Sequence, residues 1–294
     1  MHTTSVYERT AELRRPRSVR GAMTGLTMGL VAVSLMTACG DDPTPTPEVY
    51  ATPTPSVSQG EPFTTTGTFA GKFVISQYVE NVLTVLNPDD YEQQLITTYS
   101  VVTIKPGTAA NTLIYREDNC TSEMTEVAGA TSTLNPEYYT NTPVDDWEVA
   151  ISEPIIGATF NIPETIVIKG AHLTDPATEA LPSDPEDPRL YDFDDDGNPG
   201  YTVHVSGAAN GDLYASERFT FSYSGTIVTD ELISGLIYNE VEDVFVQSTS
   251  VLIPTDTDTK PDDVVEHSFF ELKRVADGLT YQQLEAQAGE LFPQ

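Results

Sequence analysis

Residues 201–223, YTVHVSGAANGDLYASERFTFSY, decide the fold class. Tyr201, Val203 and Val205 alternate with Thr202 and His204, the two-residue period of a strand with one apolar face. Asn210-Gly211 offers the positive-φ pair that tight hairpins prefer. Beyond it Leu213, Ala215, Phe219, Phe221 and Tyr223 recur on the returning strand. The run predicts an antiparallel β-hairpin.

Outward from this hairpin the same texture repeats. Short runs rich in Val, Ile, Thr, Tyr and Phe predict strands at Thr68–Val79, Leu95–Ile104, Thr112–Arg116, Trp147–Ile151, Ala158–Ile162 and Thr165–Lys169. After it they predict Thr226–Val228, Gly235–Tyr238, Val244–Leu252 and His267–Arg274, with an acidic, exposed loop over Thr255–Asp263. Asn87-Pro-Asp-Asp90 reads as a turn, and no helical period interrupts the series. Only the C-terminus reads as a helix: Thr280 to Gln283 has capping-box spacing, and Tyr281, Leu284, Ala288 and Leu291 form one stripe. The expected fold is mainly β, an antiparallel barrel or sandwich over residues 67–294, with the helix packed over an open end or an edge.

Just before the hairpin stands Asp192-Phe-Asp-Asp-Asp-Gly-Asn-Pro-Gly200, which closes a long acidic, Pro-rich insert that begins at His172. Asp192, Asp194 and Asp196 occupy positions 1, 3 and 5 of a calcium loop, Gly197 takes the sharp turn, and the carbonyl of Asn198 falls at position 7. The second half departs from that pattern: Val203 stands where a bidentate Glu is expected, and no helices flank the loop. The expectation is therefore a structural calcium clip, with Asp192, Asp194 and Asp196 converging at the start of the strand. A further carboxylate would come from Glu186, Asp187, Glu240, Glu242 or Asp243. The alternative is a solvated acidic turn held by local hydrogen bonds.

The N-terminus reads as an address. Arg14, Arg15, Arg17 and Arg20 form a basic segment, Ala22–Met36 an apolar one too short to span a bilayer, and Leu35-Met-Thr-Ala-Cys39 closes a signal peptide over residues 1–38. This closing run resembles the lipobox of bacterial lipoproteins, although Met36 stands where Leu is usual. The resemblance implies cleavage and diacylation of Cys39, which would hold the protein to a membrane. Residues 39–66, rich in Pro and Thr, read as a disordered stalk. About 27 residues of polyproline II would reach on the order of 80 Å.

Of 14 Lys and Arg and 45 Asp and Glu, cleavage removes five and two, which leaves a formal charge near −34. So acidic a surface argues against nucleic acid as a partner and favours cations. With Cys39 acylated only Cys120 remains, so no intramolecular disulfide forms, and flanking Asp118 and Glu123 oppose a reactive thiolate.

The block Asp192–Gly200, then Tyr201–Val205, Gly211-Asp-Leu-Tyr214 and Arg218 resembles one shared by uncharacterised surface lipoproteins abundant in myxobacteria. The resemblance covers Asp192 to about Gly235 and the lipobox. It implies a β-rich lipoprotein of the cell envelope, compatible with the outer membrane, and carries no activity with it. Catalysis is not expected: there is no Gly-x-Ser-x-Gly elbow, no His-Glu-x-x-His and no phosphate-binding glycine loop, and His172, His204 and His267 lack zinc spacing. His204 is expected at the surface. The function expected is structural or binding, with an unknown protein or small-molecule partner. The alternative is lipocalin-like carriage of an apolar ligand, which an internal cavity would favour and a packed interior would exclude.

Overall fold

The structure is a computed structural model that describes residues 59–80 and 91–293. The signal segment, Cys39, most of the stalk and the Asn87–Asp90 turn lie outside the described residues.

The chain forms β1 (Gly67–Glu80), β2 (Tyr91–Pro106), β3 (Thr112–Met124), β4 (Ala130–Leu134), α1 (Pro136–Asn141), β5 (Asp146–Ile151), β6 (Thr159–Lys169), β7 (Tyr201–Gly207), β8 (Gly211–Thr229), β9 (Leu232–Ser248), β10 (Thr259–Pro261), β11 (Phe269–Val275) and α2 (Tyr281–Leu291). Strands β1, β2, β3, β5, β6, β8, β9 and β11 each pair antiparallel with the next, and β11 returns to β1. The sheet is thus a closed barrel with neighbours in chain order. Between barrel and sandwich, closure selects the barrel, because each of these eight strands then finds two partners.

Several predicted strands merge. Thr226–Val228 continues the hairpin strand as part of β8, and Gly235–Tyr238 joins Val244–Ser248 as β9, while residues 249–252, expected to extend that strand, lie in the turn beyond it. Ala158–Ile162 and Thr165–Lys169 are one strand, β6, whose register shifts at Pro163, a residue that cannot donate to the ladder. The predicted hairpin is β7 with the start of β8, Val205 opposite Gly211 and Tyr201 opposite Ala215. Beyond Ser216 the same side of β8 pairs instead with β6, so β7 and its neighbour β4 continue the wall past the end of β6. The short helix α1, with Pro136 in its first turn, was not expected from sequence: six residues are too few for a helical period to show.

The two-residue period sets which side chains face the barrel interior, and along that interior one half is filled and the other open. On β1, Phe69 and Phe73 join the core, Ile75, Gln77 and Val79 line a cavity above it, and Ala70 faces outward. Phe69, Ile104, Leu113, Val149, Phe160, Ile227, Ile233 and Leu272 fill the lower half. Gly225 and Gly235 face each other across β8 and β9, and a Cβ on Gly225 would stand 2.7 Å from the Phe270 ring, so only glycine leaves that ring its place. Phe63 is buried in the same core, and Pro62 bridges to Ile155. The last residues assigned to the stalk, 59–66, are therefore packed against the barrel, because Phe63 supplies the one large apolar side chain that the composition of the stalk obscured.

Helix α2 has the predicted cap: Thr280 accepts from the Gln283 N–H, and Gln283 in return accepts from the Thr280 N–H. Its position differs from the expected one. Leu284, Ala288 and Phe292 pack with Ala70 and Tyr99 against the outer wall, since a closed barrel offers no edge to cover. Cys120 lies under this helix, where burial pushes its thiol up to about 12 and leaves it inert as a nucleophile. No helix among the described residues is long and apolar enough to cross a membrane.

Candidate functional site

The acidic loop folds back on itself before β7. Phe193 N–H donates to Gly200 O at 2.7 Å and Gly200 N–H to Tyr191 O at 2.9 Å, while Asp195, Gly197 and Gly200 adopt φ of +56°, +88° and +84°. This reversal turns the three carboxylates inward: one oxygen from each of Asp192, Asp194 and Asp196 lies within 4.8 Å of the others.

Each carboxylate also accepts hydrogen bonds that fix its position. Asp192 accepts the backbone N–H groups of Asp196 and Gly197, at 3.1 and 2.8 Å. Asp194 Oδ2 accepts from the Asn135 amide and from Thr202 N–H, both at 2.9 Å. Asp196 accepts from the Thr202 hydroxyl at 2.5 Å and from Asn198 N–H at 2.8 Å. Asn198 is half-buried and closes the turn with that N–H. Asp194 is only 2% exposed, and its Oδ1 has no hydrogen-bond partner among the described residues. Burial, with the Asp196 charge nearby, holds the Asp194 carboxyl above its usual range. Burial would raise Asp196 too, but Thr202 and Asn198 overcome it and hold that carboxyl low.

The proposed fourth ligands are not in this group. Asp187 pairs with Arg189 at 2.7 Å, Glu242 pairs with Arg218, and Asp243 faces the barrel interior; Glu186 and Glu240 also stand outside the cluster. His204 is partly exposed as expected, yet both ring nitrogens are engaged, with Asp212 at 2.7 Å and Asn135 at 2.6 Å. The polar face of β7 thus builds the loop rather than meeting solvent alone.

The open half of the barrel holds a cavity of about 270 Å³. Ile75, Ile96, Trp147, Val167, Phe219, Phe221 and Val241 form apolar walls, and Leu134, Tyr138, Tyr139, Thr257 and Thr259 also line it. Trp147 stacks on Tyr115 with centroids 5.7 Å apart and planes 9° apart. Four charged side chains line the same space: Glu117, Lys169, Glu217 and Asp243.

Their contacts set their charge states. Lys169 Nζ lies 2.7 Å from Glu217 and donates to the Tyr138 hydroxyl at 2.5 Å, with its charge 4.7 Å from the Tyr138 ring centre. Burial alone would lower the Lys169 pKa, but Glu217 and Tyr138 more than offset it, so the ammonium stays charged. Asp243 accepts from the Tyr201 hydroxyl at 3.0 Å; burial, reinforced by Glu217, raises it to about 7. Glu117 accepts from Tyr115 at 2.6 Å and Ser100 at 3.2 Å, and burial raises it to about 7 despite both hydrogen bonds. Loop and cavity touch through aromatic rings, since Tyr138 packs edge-on against Phe193 and Tyr201 at 5.5 and 5.2 Å.

Sequence reasoning brought the three aspartates together but missed the cavity set, apart from naming Asp243 for another role. A signal existed in the strand parity. Glu117 follows Tyr115 by two, Lys169 follows Val167, Glu217 precedes Phe219, and Asp243 follows Val241, so each charge stands on the apolar face of its strand. Compared with protein-family models, curated proteins and solved structures, the chain matches none.

Proposed function

We propose that this chain is a cell-envelope lipoprotein whose barrel binds a small amphipathic molecule in its open half. The observation that carries the reading is the combination, in one closed barrel, of a packed base and an apolar cup containing four charged side chains. Eight strands enclose a space that side chains can just fill or that can take one small ligand. A barrel with a purely scaffolding role has no need to keep three carboxylates and a lysine in its interior, where each costs desolvation energy. The cavity falls just under the usual range of small-molecule sites, roughly 300–1,000 Å³, and its polar groups favour an amphipathic occupant over the wholly apolar one of the lipocalin-like alternative.

Trp147, the single tryptophan of the chain, lines the cup and reports its occupancy. Titration with the neutral dye N-phenyl-1-naphthylamine is expected to quench Trp147 as dye emission rises, and Val167→Phe/Val241→Phe, which fills the cup, to weaken binding about tenfold or more. Unchanged Trp147 emission at saturating dye, or equal binding by a folded filled variant, overturns the reading.

The tether half of the proposal rests on Cys39, and a Cys39→Ser chain that stays in the membrane fraction removes it. In the same reading the acidic loop is a calcium clip. The converging oxygens of Asp192, Asp194 and Asp196 and the unpartnered Asp194 Oδ1 support it, and a calcium-dependent rise in the unfolding midpoint is its readout.

A further inference from the structure

We infer that the ligand of the barrel cup is an organic cation, an ammonium group on an apolar body about the size of one ring with a short chain. The inference rests on the proposed binding role and adds the chemical class. Its first ground is the charge of the walls. Among the described residues that line the cup, Lys169 is the one basic side chain and Glu117, Glu217 and Asp243 are the three acidic ones. Lys169 is already engaged, 2.7 Å from Glu217 and bonded to Tyr138, so it offers little to an incoming anion. Glu117 stands on another strand, and its hydrogen bonds come from the neutral hydroxyls of Tyr115 and Ser100.

Ionising Glu117 in this interior without a nearby counter-charge is costly. A bound ammonium supplies that counter-charge and turns a strained wall into a paired one. The second ground is aromatic. Trp147, Phe219, Phe221 and Tyr223 line the same cup, and the negative faces of such rings attract cations, the more so once desolvated. The third is the route in: a chain with formal charge −31 raises the local concentration of cations and repels anions.

A matched series separates charge from shape. 3-Phenylpropylammonium, 3-phenylpropanol and 3-phenylpropionate share one hydrocarbon body, and each is titrated against bound N-phenyl-1-naphthylamine at pH 7.5. The ammonium is expected to displace the dye about tenfold more tightly than the alcohol, and the carboxylate more weakly than either. The preference should persist in 1 M NaCl, which screens the acidic surface but not the interior. Glu117→Gln should reduce the ratio of ammonium to alcohol affinity.

Equal affinities, a preference for the carboxylate, or a preference abolished by salt would each overturn the cation inference while leaving the cup as a binding site. Failure of all three compounds to displace a dye that does bind would also overturn it, for a body of this size. Failure of the dye itself to bind strikes the binding role instead. Because the series is read on the unaltered chain, the outcome does not depend on whether the Glu117→Gln variant folds.

Discussion

Lys169→Met is expected to destabilise the folded chain by about 3–5 kcal/mol at pH 7.5, the range for removing one partner of a buried ion pair. The methionine fills most of the space, so the loss is electrostatic. Glu217 loses a partner 2.7 Å away, the Tyr138 hydroxyl loses its donor, and Asp243 loses the cation that opposes its Glu217 neighbour. The effect should depend on pH in a stated direction. Asp243 titrates near 7 in the folded state, against about 3.9 unfolded. Its protonated form therefore contributes stability that is fully present below about pH 4 and lost as pH rises through about 7. Without Lys169, whose charge lowers the Asp243 pKa, Asp243 holds its proton still more strongly, so the deficit should be smaller at pH 5 than at pH 7.5. Urea unfolding at the two pH values measures it. Lys169→Met/Glu217→Gln should recover a large part of the loss, since it removes the stranded charge as well. A deficit under about 1 kcal/mol, or one equal at both pH values, contradicts a buried pair in the cup.

The second large effect belongs to the acidic loop. Gly200→Ala is expected to lower stability by about 3 kcal/mol, from the strain of a positive φ together with backbone overlap. Gly200 sits at φ +84°, and a Cβ there would stand 2.1 Å from the Ala215 carbonyl oxygen, which belongs to a barrel strand and cannot swing aside. Gly197 makes the comparison sharp. Its φ is +88°, but nothing lies within 4 Å of the Cβ position, so Gly197→Ala should lose only about 1–2 kcal/mol. Because Gly200 closes the loop that gathers Asp192, Asp194 and Asp196, Gly200→Ala should also weaken the response to calcium. The unaltered chain is expected to gain on the order of 1 kcal/mol in millimolar calcium at affinities of roughly 10⁻⁴–10⁻³ M. Identical midpoints with calcium and with chelator, at matched ionic strength, would remove calcium from the loop.

The two sites were unequally legible. The loop could be found in the sequence because its ligand pattern is local: Asp192, Asp194 and Asp196 need only a turn at Gly197 to meet. What local spacing could not show is the support from a distance, Asn135 on Asp194 and the edge-on packing of Phe193 against Tyr138. The cup was invisible for the complementary reason. Glu117, Lys169, Glu217 and Asp243 come from β3, β6, β8 and β9, and nothing in the spacing of those residues says that four strands will curve around one space.

By itself the sequence determined the strand-rich class, the hairpin at 201–223, the capped helix from Thr280 and the grouping of the loop aspartates, all of which follow from two-residue and 3.6-residue periods and from turn chemistry within a few residues. The tertiary structure alone decided that β11 returns to β1 and closes a barrel, that α2 lies on its outer wall, and that charged residues of strand parity face inward. Closure is a matter of twist, bulges and register summed over the whole sheet. Only once the sheet is closed does an inward-facing lysine or carboxylate become part of a shared cavity, and no single strand carries that information.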